Sequence, residues 1–231
     1  MTTHGEHDQD PYDPTESAAQ AAGVGALLGV DARLLDLGCG TGRVAARLLK
    51  ARADLDLQLV GVDLDEAMRG PYLESTMGRA RFQVGDIFAS DGMPEGPFDA
   101  ILALGNLVML LREPPRLRAF YAAAHRRLVP GGVLVIDDFA EGGWAELASG
   151  RWADGIDETG SMQMLWLSGD PEFVVRMGEE VDPDARHPGA EERVLRLWSR
   201  RELDDAAELA GFAATEIRSE HLLAVHRRGD G

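Results

Sequence analysis

The sequence contains very little cysteine: Cys39 is the single cysteine among 231 residues. One cysteine cannot form an internal disulfide bond, so the fold does not demand an oxidising compartment. The length fits one domain with a sizeable buried core. Because apolar residues make up 45% of the sequence, the composition is that of a globular protein and argues against wholesale disorder.

Long apolar runs are also missing. No window approaches the 18 uninterrupted apolar residues that a membrane-spanning helix needs. The first residues, MTTHGEHDQDPYDPTES, are polar and acidic and lack the basic start and apolar centre of a signal peptide. We therefore predict a cytoplasmic protein without a membrane partner, in which residues 1–14 form a flexible tail.

Basic charge is scarce as well. The chain has 23 basic and 40 acidic residues, which gives a formal net charge of −17. Such a surface repels phosphates, so the charge disfavours a nucleic-acid partner and favours a small molecule. The six histidines are scattered without the spacing of metal ligands, so no bound metal is predicted.

Short apolar runs alternate with helical patterns in the first part of the chain. The predicted strands cover residues 33–37, 57–62, 81–84, 98–104 and 133–136. The predicted helices cover residues 15–28, 42–53, 66–77 and 114–128. This alternation is typical of right-handed crossovers around a parallel sheet that is covered on both faces.

The pattern changes after Asp137. Predicted strands then cover residues 162–167, 172–177, 193–198, 212–217 and 222–226, with a helix over 202–210. The last two strands are so close in sequence that they must pair antiparallel. We predict a Rossmann-like, doubly wound α/β fold: a mostly parallel seven-stranded sheet with an antiparallel final strand. Residues 15–231 form the single domain, and residues 141–200 form a β-rich insertion or cap after strand five.

The stretch LLDLGCGTG lies between a predicted strand and a predicted helix. Its glycines, Gly38, Gly40 and Gly42, suit a sharp turn on which a ligand lies against bare main chain. The spacing G-x-G-x-G differs from the G-x-G-x-x-G of dinucleotide enzymes. Asp36 precedes the first glycine, where a carboxylate would repel a pyrophosphate but suits a ligand with an ammonium group.

Two further acidic residues end the next two strands. Asp63 lies where ribose hydroxyls can donate to it, and Asp86 lies where an adenine amino group can do so. A tight turn without a ligand would explain the glycines alone. Three acidic strand ends in series are difficult to explain by packing.

The segments LLDLGCGTGR, GVDLDEAM, VGDIF, FDAILALGN and LVPGGVLVIDDF resemble the successive motifs of class I S-adenosylmethionine-dependent methyltransferases. They cover about residues 33–139. The resemblance implies S-adenosylmethionine as cofactor and S-adenosylhomocysteine as product. It also implies that the turn borders the methionine part of the cofactor. The residues implied there are Asp36, Gly38, Cys39, Gly40 and Gly42.

The same resemblance implies which residues would bind the other parts of the cofactor. Asp63 would hold the ribose hydroxyls, and the adenine would contact Leu64, Met68, Asp86 and Ile87. The floor beneath the sulfonium would be lined by Leu104, Gly105 and Asn106. The fourth motif is similar to that of glycine and sarcosine N-methyltransferase-like enzymes, which act on small molecules. A homodimer is left open.

Catalytic residues are less evident, because methyl transfer from a sulfonium needs a general base only when the acceptor arrives protonated. Asp138, at the end of strand five, is a candidate to orient an amine or accept a proton; the alternative is a solvated residue or a helix cap. Tyr12 is a candidate to fold over the cofactor; the alternative is a residue of the tail. Four tryptophans in or beside the insertion either wall an acceptor pocket or pack the insertion: Trp144, Trp152, Trp166 and Trp198.

The leading hypothesis is a methyltransferase that acts on a nitrogen or oxygen atom of a small metabolite. The alternative keeps the fold and the cofactor but catalyses a cyclisation, decarboxylation or hydroxylation. A binding module without turnover and a nicotinamide dehydrogenase are further alternatives. The three acidic strand ends disfavour the former, and the glycine spacing disfavours the latter.

We expect Asp63→Ala to weaken the binding of S-adenosylhomocysteine by about 1–3 kcal/mol, because the ribose hydroxyls would lose their acceptor. Isothermal titration calorimetry on the variant and the parent chain measures this difference. An unchanged affinity would show that the ribose lies elsewhere.

Overall fold

In the computed structural model, the described residues are 14–54, 56–89, 92–138, 155–166 and 171–229. Tyr12 and almost all of the predicted tail lie outside the described residues, and so do Trp144 and Trp152. None of the described helices is long and apolar enough to cross a membrane.

The described helices and strands follow the predicted alternation. The helices are α1 (Pro14–Gly25), α2 (Arg43–Ala51), α3 (Arg69–Ser75), α4 (Pro114–Arg127) and α5 (Arg200–Ala210). The first five strands are β1 (Arg33–Leu37), β2 (Gln58–Asp63), β3 (Ala80–Val84), β4 (Phe98–Ala103) and β5 (Leu128–Asp137). The other five are β6 (Met162–Trp166), β7 (Glu172–Met177), β8 (Leu195–Arg196), β9 (Glu216–Arg218) and β10 (Leu223–Arg227).

Seven strands form one sheet in the order β3-β2-β1-β4-β5-β10-β9. Strand β10 pairs antiparallel with both β5 and β9, whereas the pairs among β1 to β5 are parallel. A second, three-stranded antiparallel sheet has the order β6-β7-β8. The predicted fold class is therefore confirmed. The domain boundaries stay a prediction.

Several elements differ in extent from the sequence prediction. The helix predicted over residues 66–77 begins as a 3₁₀ turn, Glu66–Met68, and α3 starts only at Arg69. Pro71 explains the interruption, because it has no N–H to continue the helical hydrogen bonds. Strand β5 is longer than predicted, and its register shifts between the pairs Phe98–Leu128 and Ala100–Val133.

One face of the sheet is less covered than the alternating pattern predicts. Between β3 and β4, the described residues 85–89 and 92–97 contain no helix. In the cavity left there, the guanidinium of Arg33 lies over the ring of Phe98, 5.4 Å from its centroid. The guanidinium of Arg33 thus covers an aromatic ring where no described helix packs. Elsewhere, the guanidinium of Arg69 lies 5.1 Å from the ring centroid of Phe82, which also packs on Tyr72 of α3.

A buried polar chain stabilises the far side of the sheet. His226 on β10 is fully buried, with Nε2 3.2 Å from the hydroxyl of Tyr121 and Nδ1 3.1 Å from Oγ1 of Thr215. Thr215 in turn donates to the carboxylate of Asp204, at 2.6 Å. Burial lowers the pKa of His226 to about 3, and the charge of Arg200 adds to the decrease. The folded protein therefore holds a neutral imidazole.

We expect the free energy of unfolding to fall as the pH decreases from about 6.5 towards 3. In this window the unfolded chain takes up a proton at His226 while the folded chain does not, which costs about 1.4 kcal/mol per pH unit. The difference in the free energy of unfolding between the parent chain and His226→Gln gives the contribution of this proton, because the two proteins share every other titrating group. Urea unfolding between pH 4 and 8 measures it, and a difference that does not change with pH would contradict the prediction.

Candidate functional site

A cavity of about 340 Å³ opens at the carboxyl ends of the parallel strands. It lies where the strand order reverses between β1 and β4, which is the position where open α/β sheets bind ligands. Ten of the thirteen residues predicted to bind the cofactor line this cavity: Asp36, Gly38, Cys39, Gly40, Asp63, Leu64, Asp86, Ile87, Leu104 and Gly105. The chain thus brings most of the predicted site together.

The glycine-rich turn leaves main chain bare towards the cavity. Gly38, Gly40 and Gly42 have φ values of 61°, 50° and 86°, a region that L side chains rarely adopt. A Cβ on Gly38 would lie 2.8 Å from Cδ1 of Leu107, whereas one on Gly40 would meet nothing within 4 Å. Gly42 lies just before α2, and it does not line the cavity. Its N–H donates to the carbonyl of Cys39, at 2.9 Å, and closes the turn.

Asp63 joins this turn to the end of β2. Its Oδ2 accepts the N–H of Gly40 at 2.8 Å, and its Oδ1 accepts the N–H of Asp65 at 3.0 Å. Each carboxylate oxygen has a second lone pair, so Asp63 can still accept from hydroxyl groups of a ligand in the cavity. Asp63 therefore shapes the turn and offers acceptors to the cavity.

Asp36 is the most unusual acid of the site. Its side chain lines the cavity, the residue is 6% exposed, and no described residue donates a hydrogen bond to its carboxylate. Burial raises the pKa of Asp36 to about 7; the charge of Arg43 opposes the rise, and the Asp63 carboxylate adds to it. A cationic group of a ligand would stabilise the ionised form.

Apolar and polar groups meet at the other end of the cavity. Leu64 is 71% exposed, although it is a large apolar side chain on the cavity wall, and Ile87 is buried beside it. Asp86 is exposed, and its Oδ1 accepts the N–H of Phe88 at 3.0 Å. This arrangement suits a flat, partly polar ring such as adenine. Met68 is half-buried and does not line the cavity.

The floor of the cavity is held by Asp137. Its Oδ1 accepts the N–H of Gly105 at 3.2 Å, and its Oδ2 accepts the N–H of Asn106 at 2.7 Å. Leu104 and Gly105 line the main cavity, whereas Asn106 lines an adjoining space of about 10 Å³. Burial raises the pKa of Asp137, and the hydrogen bonds that it accepts oppose the rise.

The catalytic candidates lie away from the cavity or outside the described residues. The carboxylate of Asp138 forms a close ion pair with Arg200, and its side chain is 7% exposed. It does not line the cavity, so its proposed part in orienting or deprotonating an acceptor stays a prediction. Tyr12 lies outside the described residues, and its role also stays a prediction.

The contacts of Cys39 and of the described tryptophans indicate packing roles. Burial raises the pKa of Cys39, and the carboxylates of Asp36 and Asp63 raise it further, so the thiol stays protonated. Trp166 packs on Phe173 with ring centroids 4.9 Å apart. Trp198 is 2% exposed and donates to the carbonyl of Val108 at 3.1 Å. Neither tryptophan lines the main cavity.

Sequence reasoning missed eight residues that line the cavity: Thr41, Arg43, Val44, Gly85, Phe88, Leu107, Leu110 and Arg193. Arg43 directly follows the glycine-rich turn, so its place in the cavity could have been predicted from its position in the sequence. Arg193 lies just before β8, and only the folding of the chain brings it to the cavity.

We expect the affinity for S-adenosylhomocysteine to rise by up to about tenfold between pH 6 and 8, because Asp36 must be ionised to attract the ammonium group. Binding of 5′-methylthioadenosine, which lacks the amino-acid part, should change much less. In Asp36→Asn the binding should be weak and nearly independent of pH. Calorimetry with both ligands measures this. Equal pH profiles for the two ligands would contradict the assignment of Asp36.

Comparison with known proteins finds methyltransferases that are similar to the central region of the chain. Residues 34–132 match the model of a family described as a methyltransferase domain. A sterol 24-C-methyltransferase of Neurospora crassa is 30% identical over 133 residues, which are 52% of this chain and 33% of that protein. A ribosomal RNA small subunit methyltransferase C of Shewanella loihica is 41% identical over 73 residues, 31% of this chain and 20% of that protein. The chain thus spans a third or less of the length of these two relatives.

A solved structure extends the likeness to nearly the whole chain. The S-adenosylmethionine-bound CalS10, an amino pentose methyltransferase from Micromonospora echinaspora, is similar with a TM-score of 0.62. The match covers 98% of this chain and 100% of that chain at 23% identity, so it shows a shared fold. Residues 34–132 thus resemble a methyltransferase domain, and the likeness to CalS10 shows that the chain has the fold of that methyltransferase.

Proposed function

We propose that this chain transfers the methyl group of S-adenosylmethionine to a nitrogen or oxygen atom of a small molecule. The observation that carries the proposal is Asp36, a buried carboxylate that faces the cavity without a hydrogen-bond donor among the described residues. An anion in this position calls for a cation, and the cofactor carries both an ammonium and a sulfonium group. When bound, the cofactor supplies a methyl group that is activated by the sulfonium.

Different residues around the cavity bind different parts of the cofactor. Asp36 holds the ammonium group, and the bare main chain at Gly40 lets the methionine part approach closely. The hydroxyls of the ribose donate to Asp63. The adenine lies between Leu64 and Ile87, with its amino group towards the carboxylate of Asp86. Ligand pockets are commonly apolar in this way, with a few polar groups that fix the orientation of the ligand. We assign supporting positions to Gly42, Met68 and Asn106, which do not line the main cavity.

The chemical step needs alignment more than acid–base catalysis. Methyl transfer is an in-line displacement, so the protein must position the acceptor atom and exclude water. The titratable groups close to the floor are already engaged, since Asp137 accepts backbone N–H groups and Asp138 pairs with Arg200. We therefore propose that the acceptor arrives as a free base or an acidic hydroxyl, and that Asp138 at most orients it.

The insertion supports a small acceptor with an anionic group. Arg193 lines the cavity and makes no hydrogen bond or ion pair with a described residue, in a chain whose formal net charge is −17. A guanidinium in this position favours a carboxylate or phosphate on the acceptor. CalS10 is described as acting on an amino pentose and matches this chain over 98% of its length. The ribosomal RNA enzyme matches only 73 residues. The narrower likeness to glycine and sarcosine enzymes, a homodimer and a cytoplasmic location stay predictions.

We expect transfer of tritium from methyl-labelled S-adenosylmethionine to members of a panel of small amines and alcohols, each tested with and without a carboxylate or phosphate. Acceptors with the anionic group should have the higher kcat/KM. Arg193→Ala should lower kcat/KM for these acceptors by about 10- to 100-fold, the loss of a hydrogen bond to a charged group. The same variant should change neutral acceptors little, which provides the internal control.

Other outcomes separate the alternatives. Tight binding of S-adenosylhomocysteine without transfer to any member of the panel would favour a cyclisation, decarboxylation or hydroxylation that only uses the cofactor. A chain that binds NAD and not S-adenosylhomocysteine in calorimetry would overturn the proposed function.

A further inference from the structure

The side chain of Gln20 connects two walls of the cavity although it lies outside the cavity. Gln20 belongs to α1 and is completely buried. Its Nε2 donates to Oδ1 of Asp137 at 2.9 Å, and its Oε1 accepts from Nη1 of Arg43 at 2.8 Å. A single amide therefore bridges the end of β5 and the start of α2.

The contact with Asp137 reaches the floor of the cavity. Asp137 accepts the N–H groups of Gly105 and Asn106, whose φ values are 73° and 60°. Two successive residues in the left-handed region form a tight turn with both N–H groups pointing the same way, and the carboxylate satisfies them. Because Gly105 lines the cavity, the position of Asp137 sets the position of the floor.

The contact with Arg43 reaches the opposite wall. Arg43 is the first residue of α2 and lines the cavity. Its Nη1 donates to Oγ of Ser17 at 2.9 Å as well as to Gln20, so two side chains of α1 orient the guanidinium. Its charge also acts on Asp36, since the guanidinium lowers the pKa of that carboxyl. The orientation of Arg43 thus affects the acid that we assign to the ammonium group.

The chemistry of an amide fits this position better than that of any charged or apolar side chain. Towards Asp137 the bridge must donate, and towards Arg43 it must accept. A glutamate would place a second carboxylate against Asp137, and a lysine would place a second cation against Arg43. An apolar side chain would remove one hydrogen bond from each buried charged partner.

We propose that Gln20 is a positioning residue of the cofactor site, through which the docking of α1 sets the floor at Gly105 and the guanidinium of Arg43. The inference rests on the proposed function, because it concerns the same cavity. By linkage, a cofactor that prefers this arrangement also stabilises the docked α1. Gln20 itself does not touch the cofactor.

The test compares Gln20→Met, which keeps the size of the side chain without its hydrogen bonds, with Val24→Ala. Val24 is a fully buried residue of the same helix and belongs to the apolar core. Both variants should lower Tm. Only Gln20→Met should weaken the binding of S-adenosylhomocysteine, by between about twofold and thirtyfold, the range found for residues that couple to a site indirectly. Binding of 5′-methylthioadenosine, which lacks the methionine part, should change less.

A second variant gives a readout that a purely structural role would not produce. In Gln20→Glu, a protonated carboxyl offers one donor and one acceptor, as the amide does, whereas the ionised form repels Asp137. The loss of affinity relative to the parent chain should therefore shrink as the pH is lowered from 8 to 6. Repeating the comparison in an Asp36→Asn background removes the pH dependence of Asp36.

The parent chain provides a measurement that does not depend on a variant folding. Hydrogen exchange of the backbone N–H groups of α1 should slow when S-adenosylhomocysteine is added, and the slowing should be smaller with 5′-methylthioadenosine. The role of Gln20 would be overturned if Gln20→Met and Val24→Ala bound S-adenosylhomocysteine with equal affinity. It would also be overturned if hydrogen exchange in α1 did not change when the ligand is added. Either result would leave the proposed function intact. A parent chain that does not bind S-adenosylhomocysteine would overturn both.

Discussion

The hydrogen bond from the N–H of Gly40 to the carboxylate of Asp63 is the contact on which the candidate site depends. It attaches the turn after β1 to the end of β2, so the two strand ends are fixed relative to each other. The turn can reach Asp63 only because three of its residues adopt left-handed conformations that glycine tolerates. With this contact made, bare main chain and the buried Asp36 face the same cavity.

Charged groups of both signs line this cavity. Burial raises the pKa of Asp36, and the carboxylate of Asp63 raises it further. Holding the carboxylate of Asp36 in this position therefore costs free energy, and a positively charged ligand reduces that cost. Arg43 and Arg193 line the same cavity, and both are placed to attract anionic groups. A ligand that carries an ammonium and a carboxylate group would therefore find partners of both signs in this cavity, although the formal net charge of the chain is −17.

Asp137 and Asp138 illustrate how adjacent residues acquire different roles. Asp137 is the last residue of β5, and its carboxylate contacts Gln20 and the N–H groups of Gly105 and Asn106. Asp138 follows the strand, and its carboxylate pairs with Arg200 of α5. From the sequence, Asp138 was the candidate to lie beside an acceptor. The structure makes one of them a support for the backbone of the floor and pairs the other with a cation.

The sequence by itself determined the alternation of strands and helices and the acidic and glycine-rich strand ends, because these depend on local periodicity and on motifs of fixed spacing. Parallel strands then bring Asp36, Asp63 and Asp86 to one edge, so most of the cavity wall was predictable. Gln20 and Arg193 were not, because they contribute through contacts with residues far away in the chain. Only the packing of α1 and of the segment before β8 places them. A hydrogen bond such as that between Gln20 and Asp137, which are 117 residues apart, leaves no local pattern in the sequence. The tertiary structure thus decided which residues surround the candidate site and how their positions are fixed.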